Sequence, residues 1–371
     1  MGHYHFTCTK CHNNYNPNAQ MLKCKDCHET LSVQYKYSTD EMNSLTYGKG
    51  VLMPIPLVSI SDLISLGEGN TPILALPRIS NEIGIEIYAK LEFMNPTGSF
   101  KDRGTSMMIS ALKSMGVSEI VEDSSGNAGA SVSAYSSKAS IKAHIFAPSS
   151  APETKLNQIK VYGSVLHSIH GSRDRTTEAA EAFALEEKVI YASHNLSPFF
   201  IEGTKSFGYE TFNDFEKRIP ENIIVPVGNG SLFLGIWKAI TELYNKSHIN
   251  DKPKLHCIQA MNVNPIASSD PWDKSKIAPT MAGGIAVGSP PRKSEVKNVL
   301  KESNGFANSV TEESIKEWQI KLAKNEGLFC EPTSAAAFAG LENLVHEKRI
   351  NKTERVLIPI TGSGLKDVFP E

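Results

Sequence analysis

From about residue 86 onward, short runs of β-branched and other apolar residues alternate with longer segments whose apolar positions recur every three or four residues. The first pattern marks strands and the second amphipathic helices. Strands are predicted at EIYAKLEF (86–93), SEIVED (118–123), KAHIFAP (142–148), VLHSI (165–169), NIIVPVG (222–228), KLHCIQA (254–260) and RVLIPI (355–360). Helices are predicted after Lys101, from Asn127, from Pro152, and near 173–187, 198–216, 230–245, 312–325 and 333–347. Strands alternating with helices build parallel sheets covered on both faces, so an α/β fold is expected. Two stretches break the pattern. Residues 47–76 are rich in Pro and Gly, and residues 262–307 in Pro, Gly, Ser and Asn with weak periodicity. The second is expected to be a long irregular excursion over the surface or near the site.

Residues 1 to about 40 differ again, being rich in Cys and His and poor in apolar residues. Cys8-x2-Cys11 and Cys24-x2-Cys27, separated by twelve residues, can place four thiolates tetrahedrally around one Zn²⁺ in a closed structural site. A unit this short cannot bury enough surface to fold without such a staple. His12 and His28 directly follow cysteines and are expected as exposed neighbours, because four thiolates fill the shell. Cys257 and Cys330 stand alone. Zinc ribbons also bind nucleic acid, yet the basic residues near the knuckles are only Lys10, Lys23, Lys25 and Lys36, and the chain's net charge is −2. No nucleic-acid partner is expected, and the ribbon reads as a structural or interface element.

At 371 residues the chain is long enough for two to three domains of ~150 residues. No apolar run approaches the ~18 residues of a membrane span. The N-terminus shows no basic flank followed by an apolar core. A cytoplasmic protein with no membrane contact is therefore expected.

Ligands in open α/β sheets bind beyond the carboxyl ends of strands, and five Gly/Ser/Asn-rich runs fall at such junctions. In NPTGSFKDRGT (95–105) a turn leads to Lys101 at a helix start. The macrodipole disfavours a cation there and, with partial desolvation, would lower its pKa toward the neutral amine that forms an imine. In DSSGNAGAS (123–131), Ser124, Ser125, Gly126 and Asn127 offer amides and hydroxyls at a helix start, a site for an anion such as a carboxylate. In PVGNGS (226–231), Gly228 and Gly230 allow close backbone approach and Ser231 is expected to cap the next helix, in the form of a phosphate cup. EPTSAAA (331–337) and ITGSGLKD (360–367) complete the set.

LGEGNTP (66–72), NPTGSFKDRGT, IEGTKSFGYE (201–210), EPTSAAA and TGSGLKD resemble, in order and spacing, the fold-type II, tryptophan-synthase-β-like family of pyridoxal-phosphate enzymes, its threonine synthases above all. The resemblance runs from about residue 60 to the C-terminus. The N-terminal unit is similar to the zinc ribbon on many archaeal and bacterial threonine synthases. The resemblance implies two three-layer αβα domains with parallel-rich sheets after a zinc ribbon at 1–45. Residues 46–100 and 206–371 would form the large cofactor-binding domain, and 101–205 the small substrate-side domain. Lys101 would carry pyridoxal 5'-phosphate as a Schiff base and move protons, with Phe100 flanking the ring and Asn127 hydrogen-bonding its hydroxyl. Gly228, Asn229, Gly230 and Ser231 would cup the phosphate, and Thr361 would face the pyridine nitrogen. A neutral hydroxyl there implies an unprotonated nitrogen and a weaker electron sink.

The implied reaction converts O-phosphohomoserine and water to threonine and phosphate, in an enzyme acting on a small amino acid as a homodimer. Ser124, Ser125, Gly126, Asn127, Asn195 and Arg103 would meet the substrate, with Arg173 and Arg175 as further candidates for its phosphate. One run departs from the pattern. Threonine synthases usually read Ser-Thr-Gly-Asn-Thr where this chain reads Ser-Ser-Gly-Asn-Ala, and Ala128 lacks a hydroxyl that would help hold phosphate. The run is closer to dehydratases and sulfhydrylases. A serine/threonine ammonia-lyase and a β-replacement synthase stay open as alternative enzymes, and a silent homologue acting as a binding protein as the non-enzymatic one.

Overall fold

The computed structural model describes residues 3–36, 57–151, 153–171, 173–268 and 271–367. The Pro/Gly-rich stretch at 47–76 therefore lies partly outside the described residues. β1 (Tyr4–Cys8), β2 (Asn14–Tyr15) and β3 (Leu31–Tyr35) come first, followed by β4 (Ile73–Ala75), α1 (Pro77–Ile83) and β5 (Glu86–Lys90). Next are α2 (Lys101–Ser114), β6 (Glu119–Glu122), α3 (Asn127–Lys138), β7 (Lys142–Pro148), α4 (Glu153–Val161), β8 (Val165–Ile169), α5 (Arg173–Glu186) and β9 (Ile190–Tyr191). Then come α6 (Pro198–Thr204), α7 (Ser206–Asp214), β10 (Asn222–Pro226), α8 (Ser231–Asn245) and β11 (Lys254–Ala260). α9 (Lys293–Glu302), β12 (Ala307–Val310), α10 (Glu312–Glu326), α11 (Pro332–His346) and β13 (Arg355–Pro359) complete the order.

β7, β8 and β11 have the bounds read from the sequence. The helix expected at 198–216 is instead two, α6 and α7. The excursion at 262–307 is not irregular throughout, because α9 lies in it. Val296, Val299 and Leu300 give that helix a buried stripe at helical spacing, which the preceding Pro and Gly residues hide in a window average.

The chain forms two compact units. The first comprises residues up to 70, 95–97 and 101–206, and the second 71–94, 98–100 and 207 onward. In the first, a parallel sheet in the order β8-β7-β6-β9 accompanies the antiparallel β2-β1-β3 sheet of the cysteine-rich segment. That segment shares a core with α2 and α3: Phe6, Cys8, Leu31 and Val33 cluster with Met107, Met108, Leu112, Val132, Tyr135 and Phe199. Phe6 and Phe199 stand 5.2 Å apart between ring centres, a pairing that contributes ~1 kcal/mol beyond its burial. Beside them the Tyr35 hydroxyl donates to Glu202 at 2.5 Å, and Lys205 pairs with the same carboxylate at 2.9 Å.

The second unit is a six-stranded sheet in the order β12-β11-β10-β13-β5-β4. All its pairings are parallel except that of the short edge strand β4 with β5. Every residue of β10, NIIVP, is buried, as a central strand covered on both faces requires. Among the described residues no helix is long and apolar enough to cross a membrane.

Candidate active site

In the first unit α2 opens at Lys101. Asp102 closes the turn before it, accepting from the Thr97 amide (2.7 Å), the Thr97 hydroxyl (2.6 Å) and the Ser131 hydroxyl of α3 (2.6 Å). A carboxylate in the first turn offsets the placing of a lysine at the positive end of a helix. The Lys101 ammonium lies 5.5 Å from the centre of the buried Phe200 ring. That ring fits because residue 104 is glycine; a Cβ there would collide with it. Arg103 is wholly buried and donates to the Ser206 hydroxyl at 2.9 Å.

β6 ends in Glu122, Asp123 follows it, and the next four residues, Ser124 to Asn127, are partly open while those on either side are buried. Gly126 is the N-cap of α3 and brings no side-chain cap, leaving a helix start suited to an anion. Gly129 is required in the first turn, since a Cβ would strike the Ser124 carbonyl. Ala128, the departing position, is buried. Arg173 is engaged by Asp123, donating to its carbonyl oxygen and, at 3.1 Å, to its carboxylate, which also accepts from the Thr177 hydroxyl at 2.5 Å. Arg175 is exposed.

Glu122 grips the segment that carries Asn195. It accepts from the His194 backbone amide at 3.1 Å and meets His194 Nδ1 at 2.7 Å. Burial pushes the Glu122 carboxyl up to about 7, although the His194 amide and the charges of Arg173 and Lys101 pull the other way. Burial, then the Lys101 charge, pushes His194 well below its ordinary value. Both directions place the proton on the acid and leave the imidazole neutral. Neither residue was singled out by the sequence, where an acidic pair at a strand end reads as solvated charge. Asn195 is half-buried beside this pair.

In the second unit β10 runs into the turn of Gly228, Asn229 and Gly230. Gly230 is the N-cap of α8 at φ 89°, and the helix begins at Ser231. Ser231 therefore lies in the first turn and does not cap the helix as expected, because a left-handed residue is needed one position earlier and glycine adopts it without strain. A Cβ on Gly230 would stand 2.6 Å from Val296, and one on Gly228 would stand 3.1 Å from Gly284 and Ile285. Thr361, at the end of β13, is buried, and its carbonyl accepts from the Phe100 amide at 3.0 Å. Phe100 itself is half-buried.

The pyridoxal-phosphate dependent enzyme family matches residues 64–362. This chain belongs to it. The enzyme is 34% identical to the threonine synthase of Methanocaldococcus jannaschii over 97% of this chain and 92% of that one. It is 35% identical to the threonine synthase of a Bacillus species over 82% of this chain and 85% of that one. The threonine deaminase isoform 2 of Solanum lycopersicum superposes with a TM-score of 0.70 at 18% identity, covering 83% of this chain and 82% of that one. The fold is accordingly the α/β, fold-type II arrangement, and the substrate is a small amino acid. The chain's own groups fit the cofactor. A glycine turn with no room for Cβ at a helix start suits a phosphate, and a half-buried lysine against an aromatic ring suits an aldehyde.

The cysteine segment brings Cys8, Cys11, Cys24 and Cys27 together, with all four sulfurs within 4.8 Å of one another. The Lys10 and Cys11 amides point at Cys8 Sγ, and the Asp26 amide at Cys24 Sγ, each at 3.4 Å. Four sulfurs with amide donors around them suit a tetrahedral soft cation. His12 and His28 are exposed at the knuckle corners.

Proposed function

We propose that this enzyme is a threonine synthase, converting O-phosphohomoserine and water to threonine and phosphate. End-to-end similarity to threonine synthases carries the reading. When bound, the cofactor withdraws electrons from the bonds at the substrate Cα. Lys101, half-buried and pinned through Asp102, holds it and moves the protons at Cα and Cβ as phosphate leaves Cγ and water adds at Cβ. Ser124, Ser125 and Gly126 take the substrate carboxylate, and Asn127 the ring hydroxyl. Phe100 flanks the ring, Gly228, Asn229, Gly230 and Ser231 receive the phosphate, and Thr361 meets the pyridine nitrogen. We assign Asn195 and Arg103 to the substrate side, Asn195 from a half-buried segment and Arg103 as a buried positive charge. Arg173 is assigned to Asp123 instead.

The four thiolates hold a structural Zn²⁺ in a ribbon at 1–45. Residues 46–100 and 206–371 serve the cofactor and 101–205 the substrate. We read the enzyme as a cytoplasmic homodimer, as the family resemblance implies, and the net charge of −2 supports the absence of a nucleic-acid partner. The Ser-Ser-Gly-Asn-Ala loop favours one second reading, an ammonia-lyase acting on serine or threonine. Incubation of the cofactor-loaded protein with O-phosphohomoserine separates the two. Equal amounts of phosphate and threonine, both lost in Lys101→Ala, are expected; no phosphate there, with 2-oxo acid and ammonia from threonine, would sink the first reading.

A further inference from the structure

α6 carries two consecutive phenylalanines with different neighbours. Phe199 packs on the cysteine segment, its ring centre 5.2 Å from that of Phe6 and 6.2 Å from that of Tyr4. Phe200 packs on the lysine turn, its ring centre 5.5 Å from the Lys101 ammonium and 5.7 Å from the His194 ring. Successive residues of a helix point about 100° apart, so one short helix is wedged between the two.

α6 does not set its own position. It has seven residues, all buried, and Ser197 at its N-cap makes no side-chain cap. A helix of two turns is not stable by itself and takes its place from what packs on it. Toward α2 there is no slack: a Cβ on Gly203 would stand 2.0 Å from the Arg103 carbonyl oxygen, and one on Gly104 would stand 2.4 Å from Phe200. Toward the cysteine segment, Tyr35, the last residue of β3, donates to Glu202 Oε2 at 2.5 Å. Lys205 meets the same oxygen at 2.9 Å, with its ammonium 5.0 Å from the centre of the Tyr35 ring. Glu202 and Lys205 are buried, so water does not stand in for the hydroxyl.

We infer that the cysteine segment braces the lysine site: Tyr35 is a positioning residue that fixes α6 through Glu202 and so holds the Phe200 ring against Lys101. This rests on the reading of Lys101 as the cofactor lysine, and it gives the segment a part in the chemistry beyond its own fold. Neither glycine contact between α6 and α2 leaves room for a methyl group, and a packed interior passes a displacement on instead of absorbing it. A ring facing an amine favours its charged form. Imine formation joins the amine nitrogen to the aldehyde carbon, releases water and consumes the neutral form. The placing of Phe200 therefore enters the pH dependence with which Lys101 captures an aldehyde, and Tyr35 governs that placing.

The test is the rate at which the full-length, zinc-loaded protein, freed of cofactor, takes up pyridoxal phosphate, followed by its visible band across the pH range in which lysine titrates. Phe200→Leu should move the midpoint of the profile ~0.5–1 unit toward acid, and Tyr35→Phe in the same direction by ~0.3 unit or more. The double variant should match Phe200→Leu alone within ~0.2 unit, because both changes act through one contact. A Tyr35→Phe midpoint at the wild-type value, with lowered thermal stability, makes the segment a staple of the fold only and overturns the brace, as do additive shifts. If Tyr35→Phe does not fold, Phe6→Leu, which thins the ring contact on Phe199 and keeps the hydroxyl, should give the same acid shift; an unmoved midpoint there overturns the brace too. An unmoved midpoint in Phe200→Leu removes the link from α6 to Lys101. A band that still forms in Lys101→Ala refutes the lysine assignment itself, so the two failures are distinguishable.

Discussion

Replacing Glu122 by Gln should stabilise the protein, and more at high pH than at low. Glu122 is wholly buried and its carboxyl lies at about 7, against an ordinary 4.5, first because of burial. The unfolded chain loses this proton near 4.5 and the folded chain near 7. Between those values the folded state binds more protons, so the contribution of the group to stability is intact below 4.5 and is lost as pH rises toward 7. A tenfold change in proton affinity corresponds to about 1.4 kcal/mol, so the full loss is ~3 kcal/mol. His194 imposes an opposite slope below 6.5, since its folded pKa is depressed, but both proteins share it. Glutamine resembles the protonated acid: its carbonyl can accept the His194 amide and its NH₂ can meet Nδ1. The variant should therefore gain ~1 kcal/mol at about pH 5.5 and ~3 kcal/mol at about pH 8. At a few degrees per kcal/mol for a domain of this size, thermal unfolding should show a gain of ~3 °C at the lower pH and of roughly 6–12 °C at the higher. If Glu122 and His194 are instead a charged pair, removing one charge would cost ~3–5 kcal/mol at either pH. A variant that melts below the wild type at about pH 8 refutes the neutral-pair reasoning.

Two further outcomes follow from the geometry. Gly362→Ala should destabilise the end of β13 by ~1–3 kcal/mol through overpacking against Glu331 and weaken cofactor binding at least tenfold, measured by pyridoxal-phosphate titration; unchanged affinity would show that the contact relaxes freely. With the four thiolates holding Zn²⁺ as proposed, treatment with a chelator should unfold the 3–36 segment and uncover Phe199, because metal binding supplies ~10 kcal/mol or more to units of this kind. Hydrogen exchange should then rise in α6 as well as in the ribbon, and exchange confined to the ribbon would contradict the shared core.

The regular elements were legible wherever a segment's burial repeats along its own length. KAHIFAP, VLHSI and KLHCIQA needed no partner to be identified, and the CxxC pairs carry their chemistry in their spacing. α9 escaped because its three buried residues follow two prolines and a glycine-rich approach, and a short stripe is outvoted there. The lysine and the glycine turns were visible as junctions. The direction of proton donation was not, because it depends on pairs such as Thr361 and Glu331 that lie 30 positions apart. The same holds for Tyr35 and Glu202, which are 167 positions apart. Sequence patterning reports which residues are buried; which buried polar groups satisfy one another is settled by the fold.

The same difference explains why the titrating pair of the first unit was not legible in the sequence. Glu122 read alone is a solvated acid at a strand end, whereas Glu122 on a buried imidazole is a neutral group that shifts its proton near pH 7. Burial there removes water as the alternative donor or acceptor, so the proton between Glu122 and His194 is shared by those two groups alone. Asp123 adds an example in charge. It holds Arg173 and Thr177, so the guanidinium, which the sequence alone offers as a candidate for the substrate phosphate, has a carboxylate partner in the fold. Glu122, at the end of β6, and Asp123, next to it, thus each fix a neighbouring segment: Glu122 the one that carries Asn195, and Asp123 the start of α5.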